Sequence, residues 1–229
     1  MTATSPSKAE TSNTRGWPAT IGLLVGIWAL LCAVVVGWGW LLTQHLESSV
    51  GEVDDDVSRW FADERTSSLT DVADAGTLLG ETIVGVVGLV VVGVIFSVWQ
   101  RSWLPLVFVL LVDAGIGALY WFGTTLDPRD RPPVKILDPG LVPDASFPSG
   151  HVGTATALFG CTVVLVWVYA RAVRRWVIPL LLLFPVLCLL SRLYEGAHHL
   201  TDVLTSMAYT CLWIAAVASL VLFRERTES

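Results

Sequence analysis

Apolar residues along this chain collect into six runs separated by short polar segments, and the length of the runs is the first clue to the architecture. A helix rises about 1.5 Å per residue, so crossing a hydrocarbon layer of about 30 Å takes roughly 20 residues. Residues 21–42, 82–100, 152–170 and 203–223 carry no charge, and residues 102–122 contain only Asp113. A sixth run, 176–190, is short and needs help from its ends. The pattern predicts an all-α, integral membrane bundle of six transmembrane helices. It divides the chain into a polar, disordered N-terminus (1–16), a six-span domain (17–223) with a long polar loop (44–81), and a short tail (224–229).

Composition agrees, since 54% of the residues are hydrophobic and only 15% are charged, far too apolar for a soluble domain of this size. The N-terminus lacks the basic start, short apolar core and small-residue cleavage site of a secretory signal, so no cleaved leader is expected. Cys32, Cys161, Cys188 and Cys211 all fall inside apolar runs, where a thiol behaves as a small hydrophobe; neither a disulfide framework nor a paired-cysteine metal site is indicated. The net charge of −6 comes with no basic block, which argues against a nucleic-acid partner.

The distribution of charge orients the bundle. With six spans, Lys8, Arg15, Arg101, Arg171, Arg174, Arg175, Arg224 and Arg226 share one side, which the bias of Lys and Arg assigns to the cytoplasm. The opposite, non-cytoplasmic side holds loop 44–81, with ten acidic residues against Arg59 and Arg65. This loop reads as solvated, with one docking turn formed by Val57, Trp60 and Phe61. Trp17, Trp38, Trp40, Trp103, Trp121 and Trp176 lie near span ends, where amphipathic rings anchor at the headgroup level. His45 reads as an interfacial residue. No internal repeat of the kind that marks transporters is found.

One stretch departs from the charge rule. Residues 123–151, on the non-cytoplasmic side, carry Arg129, Arg131 and Lys135. Other polar residues converge on the same edge: Pro148-Ser149-Gly150-His151 before the fourth span, Ser191-Arg192 after the fifth, and His198-His199-Leu200-Thr201-Asp202 before the sixth. A phosphate would use each of them. Arg131 and Arg192 offer planar, bidentate donors. Ser149 and Gly150 open a helix whose N–H groups and dipole favour an anion. His198 and Asp202, four residues apart, share a helical face on which the carboxylate can accept the imidazole N–H and fix its tautomer.

Blander readings exist for each residue alone. Arg129, Lys135 or His199 taken singly reads as a headgroup contact or helix cap, and Asp113 as an acid paired inside the bundle or set on an ion path. His151, His198, His199 and Asp202 together also have the makings of a divalent-metal site, which the neighbouring arginines oppose.

In combination these residues resemble the signature of the type 2 phosphatidic acid phosphatase superfamily, which also includes vanadium-dependent haloperoxidases: K-x6-R-P, then P-S-G-H, then S-R-x5-H-x3-D. The second part is complete at Pro148-Ser149-Gly150-His151 and the third at Ser191-Arg192, His198 and Asp202. The first is partial, with Arg131-Pro132 present but Thr124 at the lysine position; Arg129 and Lys135 are nearby replacements for the lost cation, Arg129 the favoured one. The resemblance spans roughly 79–223 and implies a metal- and cofactor-free hydrolysis of a lipid-linked phosphate, such as phosphatidic acid, phosphatidylglycerol phosphate or a polyprenyl phosphate, at the outer face of the plasma membrane. His198 would attack phosphorus with Asp202 orienting it. His151 would protonate the leaving group and then activate water, while Arg131, Arg192, Ser149, Gly150 and Arg129 hold the phosphoryl oxygens. Phosphate transfer to another acceptor, and lipid-phosphate binding or transport without catalysis, are the alternatives. The oligomeric state is not readable from the sequence.

Overall fold

A computed structural model describes residues 16–223. The expected N-terminal segment up to residue 15 and the tail 224–229, with Lys8, Arg15, Arg224 and Arg226, lie outside the described residues. Six helices are long and apolar enough to cross a membrane: α1 (Trp17–Gln44), α4 (Thr82–Gln100), α5 (Leu104–Leu126), α6 (Gly150–Tyr169), α7 (Arg174–Tyr194) and α8 (Leu200–Val217), the last continued by a π-helical turn, Ala218–Leu222. All six predicted runs are present. The short fifth run gains residues at both ends, drawing Arg174 and Arg175 into its first turn and Ser191, Arg192 and Tyr194 into its last, to reach 21 residues.

Large apolar side chains such as Leu30, Ile83, Val98 and Leu183 stay exposed around the outside, a surface that only lipid would cover. Between helices there is little hydrophobic gain in lipid, so close packing decides the arrangement. Small residues allow it. On α4, a Cβ on Gly85 would strike Thr154 of α6, and one on Gly93 would strike Val109 of α5 at 2.6 Å. Helix α6 is the most enclosed span, packed against α4, α5, α7 and α8. Phe108, Val109 and Val112 of α5, Cys161 and Leu165 of α6, and Tyr209, Trp213 and Val217 of α8 form the core.

The tryptophans divide. Trp17, Trp40, Trp103, Trp121 and Trp176 are exposed near helix ends, whereas Trp38 donates from Nε1 to Thr205 Oγ1 at 3.1 Å and so ties α1 to α8. The polar loop differs from its expectation. After a π-helical turn (Glu47–Gly51) it forms two helices, α2 (Glu52–Asp63) and α3 (Ser67–Leu78), and both dock on the bundle. Of the predicted Val57–Trp60–Phe61 turn, Phe61 packs against the cluster that includes Leu189 and Leu193, whereas Trp60 stays exposed. Asp54 and Ser58 are the buried residues of α2, and α3 packs along α7 with Gly76 facing Ser191.

Candidate active site

The site is assembled where α6, α7 and α8 begin or end beside the loop joining α5 to α6. Residues 129–131 of that loop pair with residues 143–146: Arg129 N donates to Asp144 O at 2.9 Å, and Ser146 N returns a bond to Arg129 O at 3.0 Å. This pairing delivers Ser146 to the start of α8.

His198 is buried in the link between α7 and α8, and its Nδ1 lies 2.7 Å from the Ser146 carbonyl oxygen. A carbonyl can only accept, so the contact is a hydrogen bond only when Nδ1 carries the proton. The lone pair is then on Nε2, and His198 lines a cavity of about 330 Å³ together with His151, Arg131, Gly150, Tyr120 and Asp113. Burial first, then the positive charges of Arg192 and Arg131, hold the His198 imidazole well below the usual histidine range. It is therefore neutral at ordinary pH.

The expected direct bond from His198 to Asp202 is replaced by this carbonyl contact, with Asp202 Oδ2 3.9 Å from Nδ1. The carboxylate sits behind the ring instead. Asp202 is fully buried, and its Oδ2 accepts from Ser146 Oγ at 2.6 Å and from His199 N at 2.8 Å. Ser146 thus touches His198 through its carbonyl and Asp202 through its hydroxyl.

Arg192, at the last turn of α7, has no exposed side-chain surface. Its Nη1 donates to Glu195 Oε2 at 2.6 Å and to Asp138 Oδ2 at 2.9 Å, and Thr77 of α3 braces Glu195 from the other side at 2.8 Å. Burial raises the Glu195 carboxyl above the usual range despite the arginine beside it. Nε and Nη2 of Arg192 are buried with no partner. Two unsatisfied guanidinium donors in a buried position are costly, and an oxyanion is the group that would satisfy both at once.

Ser149 caps α6, its Oγ 3.5 Å from Val152 N. The N–H groups of Gly150 and His151 lie in the first turn, where no intrahelical acceptor exists. Gly80, between α3 and α4, lets that turn approach, since a Cβ there would be 2.5 Å from the His151 carbonyl oxygen. His151 is in the cavity wall, with Glu81 Oε1 3.6 Å from its Nε2, beyond hydrogen-bond distance.

The remaining arginines behave differently from expectation. Arg131 lines the cavity but gives one bond from each nitrogen to backbone: Nε to Val142 O at 2.8 Å, Nη2 to Ala145 O at 3.1 Å, and Nη1 to Ala197 O. It staples the strands of loop that carry Ser146 and His198, with one N–H on each Nη still unspent. Burial and the nearby Arg192 lower its basicity. Arg129 does not reach the cavity. Its Nη2 donates to Asp54 Oδ2 at 2.8 Å and its Nη1 to Thr201 Oγ1 at 2.7 Å and Asp202 Oδ1 at 2.5 Å. Although burial opposes its charge, those carboxylates outweigh it and raise the pKa of Arg129 above its ordinary value. Its expected place among the phosphate ligands is corrected on this geometry: both terminal nitrogens are committed to acids behind the site.

Thr124 spends its hydroxyl on Tyr120 O of its own helix at 3.0 Å, and Lys135 is exposed and absent from the cavity wall. Neither Arg129 nor Lys135 brings a cation to the cavity wall in its place. Asp113, expected to be paired, faces the cavity and makes no ion pair among the described residues. Among those residues no group of three His, Cys, Asp or Glu is arranged to hold a metal ion.

Sequence reasoning missed Ser146, Glu195, Thr77 and Asp54. Glu195 had a signal, three residues beyond Arg192 on one helical turn. Asp54 had none, being one acid in a run of three.

Comparison with known proteins follows the same lines. No curated protein matches the chain. Among solved structures it is similar to the crystal structure of the first transmembrane PAP2 type phosphatidylglycerolphosphate phosphatase from Bacillus subtilis. The two share a fold at a TM-score of 0.70 and 23% identity, over 90% of this chain and 96% of that one. The model of the PAP2 superfamily matches residues 102–226, more than half of the sequence and all of the site except what residues before 102 contribute from α2, α3, α4 and the α3–α4 turn. By that match the chain belongs to the PAP2 superfamily.

Proposed function

We propose that this protein hydrolyses a lipid-linked phosphate through a phosphohistidine. The observation that carries the reading is the tautomer of His198: its N–H is held by the Ser146 carbonyl, leaving the Nε2 lone pair in a cavity shared with His151. Nε2 attacks phosphorus as the bond to the lipid oxygen breaks, and His151 gives the departing oxygen a proton. His151 then takes a proton from water, whose oxygen attacks the phosphohistidine and releases inorganic phosphate and free imidazole. The unpartnered donors of Arg192, the spare N–H groups of Arg131 and the first turn of α6 receive the phosphoryl oxygens as charge shifts onto them. Positive charge on His198 is met by Asp202 at 3.9 Å and by the Ser146 carbonyl.

The substrate class follows from the surroundings. Thr82, Val86 and Gly117 of the cavity wall belong to membrane-spanning helices and are themselves exposed, so the cavity adjoins the lipid-facing surface. A phosphate on a lipid anchor, whether phosphatidic acid, phosphatidylglycerol phosphate or a polyprenyl phosphate, can keep its tail there. The loop charges support a site on the non-cytoplasmic side, and we assign it to the plasma membrane. The test is phosphate release from a panel of these lipids by purified protein, with and without EDTA. Release that survives EDTA and disappears in His198→Ala supports the reading; a wild-type protein that binds the lipids yet releases no phosphate overturns it. Appearance of a phosphorylated acceptor instead of inorganic phosphate would make the protein a phosphotransferase.

A further inference from the structure

The loop helix α2 reaches the site through one residue. Asp54, 1% exposed, lies in the first turn of α2, and its oxygens are fully engaged. Oδ1 accepts from Thr201 N at 3.0 Å; Oδ2 accepts from Thr201 Oγ1 at 2.5 Å and from Arg129 Nη2 at 2.8 Å. Arg129 passes the link on to Asp202 Oδ1, and the Thr201 hydroxyl closes the ring by accepting from Arg129 Nη1 at 2.7 Å. None of Asp54, Arg129 and Asp202 lines the cavity.

We propose that Asp54 is a positioning residue for the nucleophile, acting on His198 through Arg129 and Asp202. This rests on the reading of His198 as the nucleophile. Two physical effects follow from the arrangement. Asp54 fixes the guanidinium against Oδ1 of Asp202, so that Oδ2 remains turned to Ser146 and the His198 ring. Asp54 also sets the charge of the cluster. Arg129 and Asp202 alone would form a neutral pair; with Asp54 the three carry a net −1 beside an imidazole that becomes cationic during attack. In a site shielded from water such a charge acts most on the imidazole beside it, and less on a phosphate held on the far side of the ring.

A buried acid in an ion network has an ordinary alternative, that it merely stabilises the fold, and removing it would then lower abundance or thermal stability. The experiment therefore separates kcat from KM. Full-length protein in detergent is assayed on p-nitrophenyl phosphate, with inorganic phosphate as inhibitor, for wild type, Asp54→Asn, Arg129→Met and the double variant. Folded Asp54→Asn is expected to lose about tenfold or more in kcat, the scale of one lost charge interaction, while KM and the phosphate inhibition constant stay within about twofold. The double variant should be no slower than Arg129→Met alone, because the side-chain path from Asp54 to Asp202 runs through Arg129. Wild-type kcat in folded Asp54→Asn, a parallel rise in KM and the inhibition constant, or losses that multiply in the double variant would each overturn the proposal. If Asp54→Asn does not reach the membrane, Thr201→Val, which removes the bridging hydroxyl, is judged by the same kcat and KM criteria. A wild type inactive on every phosphate ester sinks the hydrolytic reading and this proposal with it, whereas active wild type with an indifferent Asp54 sinks this proposal alone.

Discussion

Arg192 and His198 show how residue-level environment sets chemistry. The planar fork of Arg192 is held by Glu195 and Asp138 on one nitrogen, leaving Nε and Nη2 for a ligand. Arg192→Lys keeps the charge but loses the fork, so KM for lipid phosphate should rise and kcat/KM fall about ten- to a hundredfold, measured by phosphate release. His198 gives a pH prediction. Because its folded-state pKa is depressed, the unfolded chain binds a proton that the folded protein refuses. Stability is therefore complete above the ordinary imidazole value of about 6.5 and declines as pH falls through it toward the depressed folded value. Thermal unfolding in detergent at pH about 7.5 and about 5.5 should show a larger loss for wild type than for His198→Gln; an equal loss would contradict a buried, neutral ring. At this scale the sequence showed which residue types meet, because the signature spacing is linear. It did not show partners: the carbonyl that holds His198 lies 52 residues before it, the two acids that claim Arg129 lie 75 residues before and 73 after it, and no local pattern connects them.

The elements carry their own lesson in the segment between α1 and α4. Its acidity read as solvation, yet Asp54, Arg65, Thr77 and Glu81 each reach a different part of the site region. Arg65 caps the end of α7 through the Tyr194 carbonyl at 3.0 and 2.9 Å and holds the Lys135 carbonyl at 2.8 Å. Periodicity could not separate these inward residues from their solvated neighbours, because Glu52, Asp55 and Asp56 lie within a turn of Asp54. The link from α7 to α8 is equally exacting. Gly196 has φ +69°, and a Cβ on it would meet Val134 at 2.6 Å and Arg65 at 3.0 Å. Gly196→Ala combines left-handed strain with that clash, so it should cost about 1–2 kcal/mol or more and lower the unfolding temperature, with activity falling because the turn sets His198. An unchanged melting temperature and turnover would show that this turn is not constrained.

For the whole molecule, hydropathy alone marked all six spans, since lipid demands long apolar helices whatever the fold. Span ends were less legible: α7 recruits charged Arg174, Arg175 and Arg192 into helical turns because long side chains can extend to polar surroundings while their backbone stays in the helix. The loop charges make a topological prediction. A reporter after Gly140 should lie outside the cytoplasm and one after Arg175 inside it; finding both on one side would contradict the orientation.

The central claim is that His198 carries the phosphoryl group during turnover. Mixing protein with a lipid substrate labelled in its phosphate, quenching in alkali where phosphohistidine survives, and mapping the label by mass spectrometry addresses it directly. The account predicts label on the peptide bearing His198, none in His198→Ala, and accumulation in His151→Ala when the leaving group is an aryl oxygen that departs without a proton. Label on His151, or full turnover by His198→Ala, would contradict it.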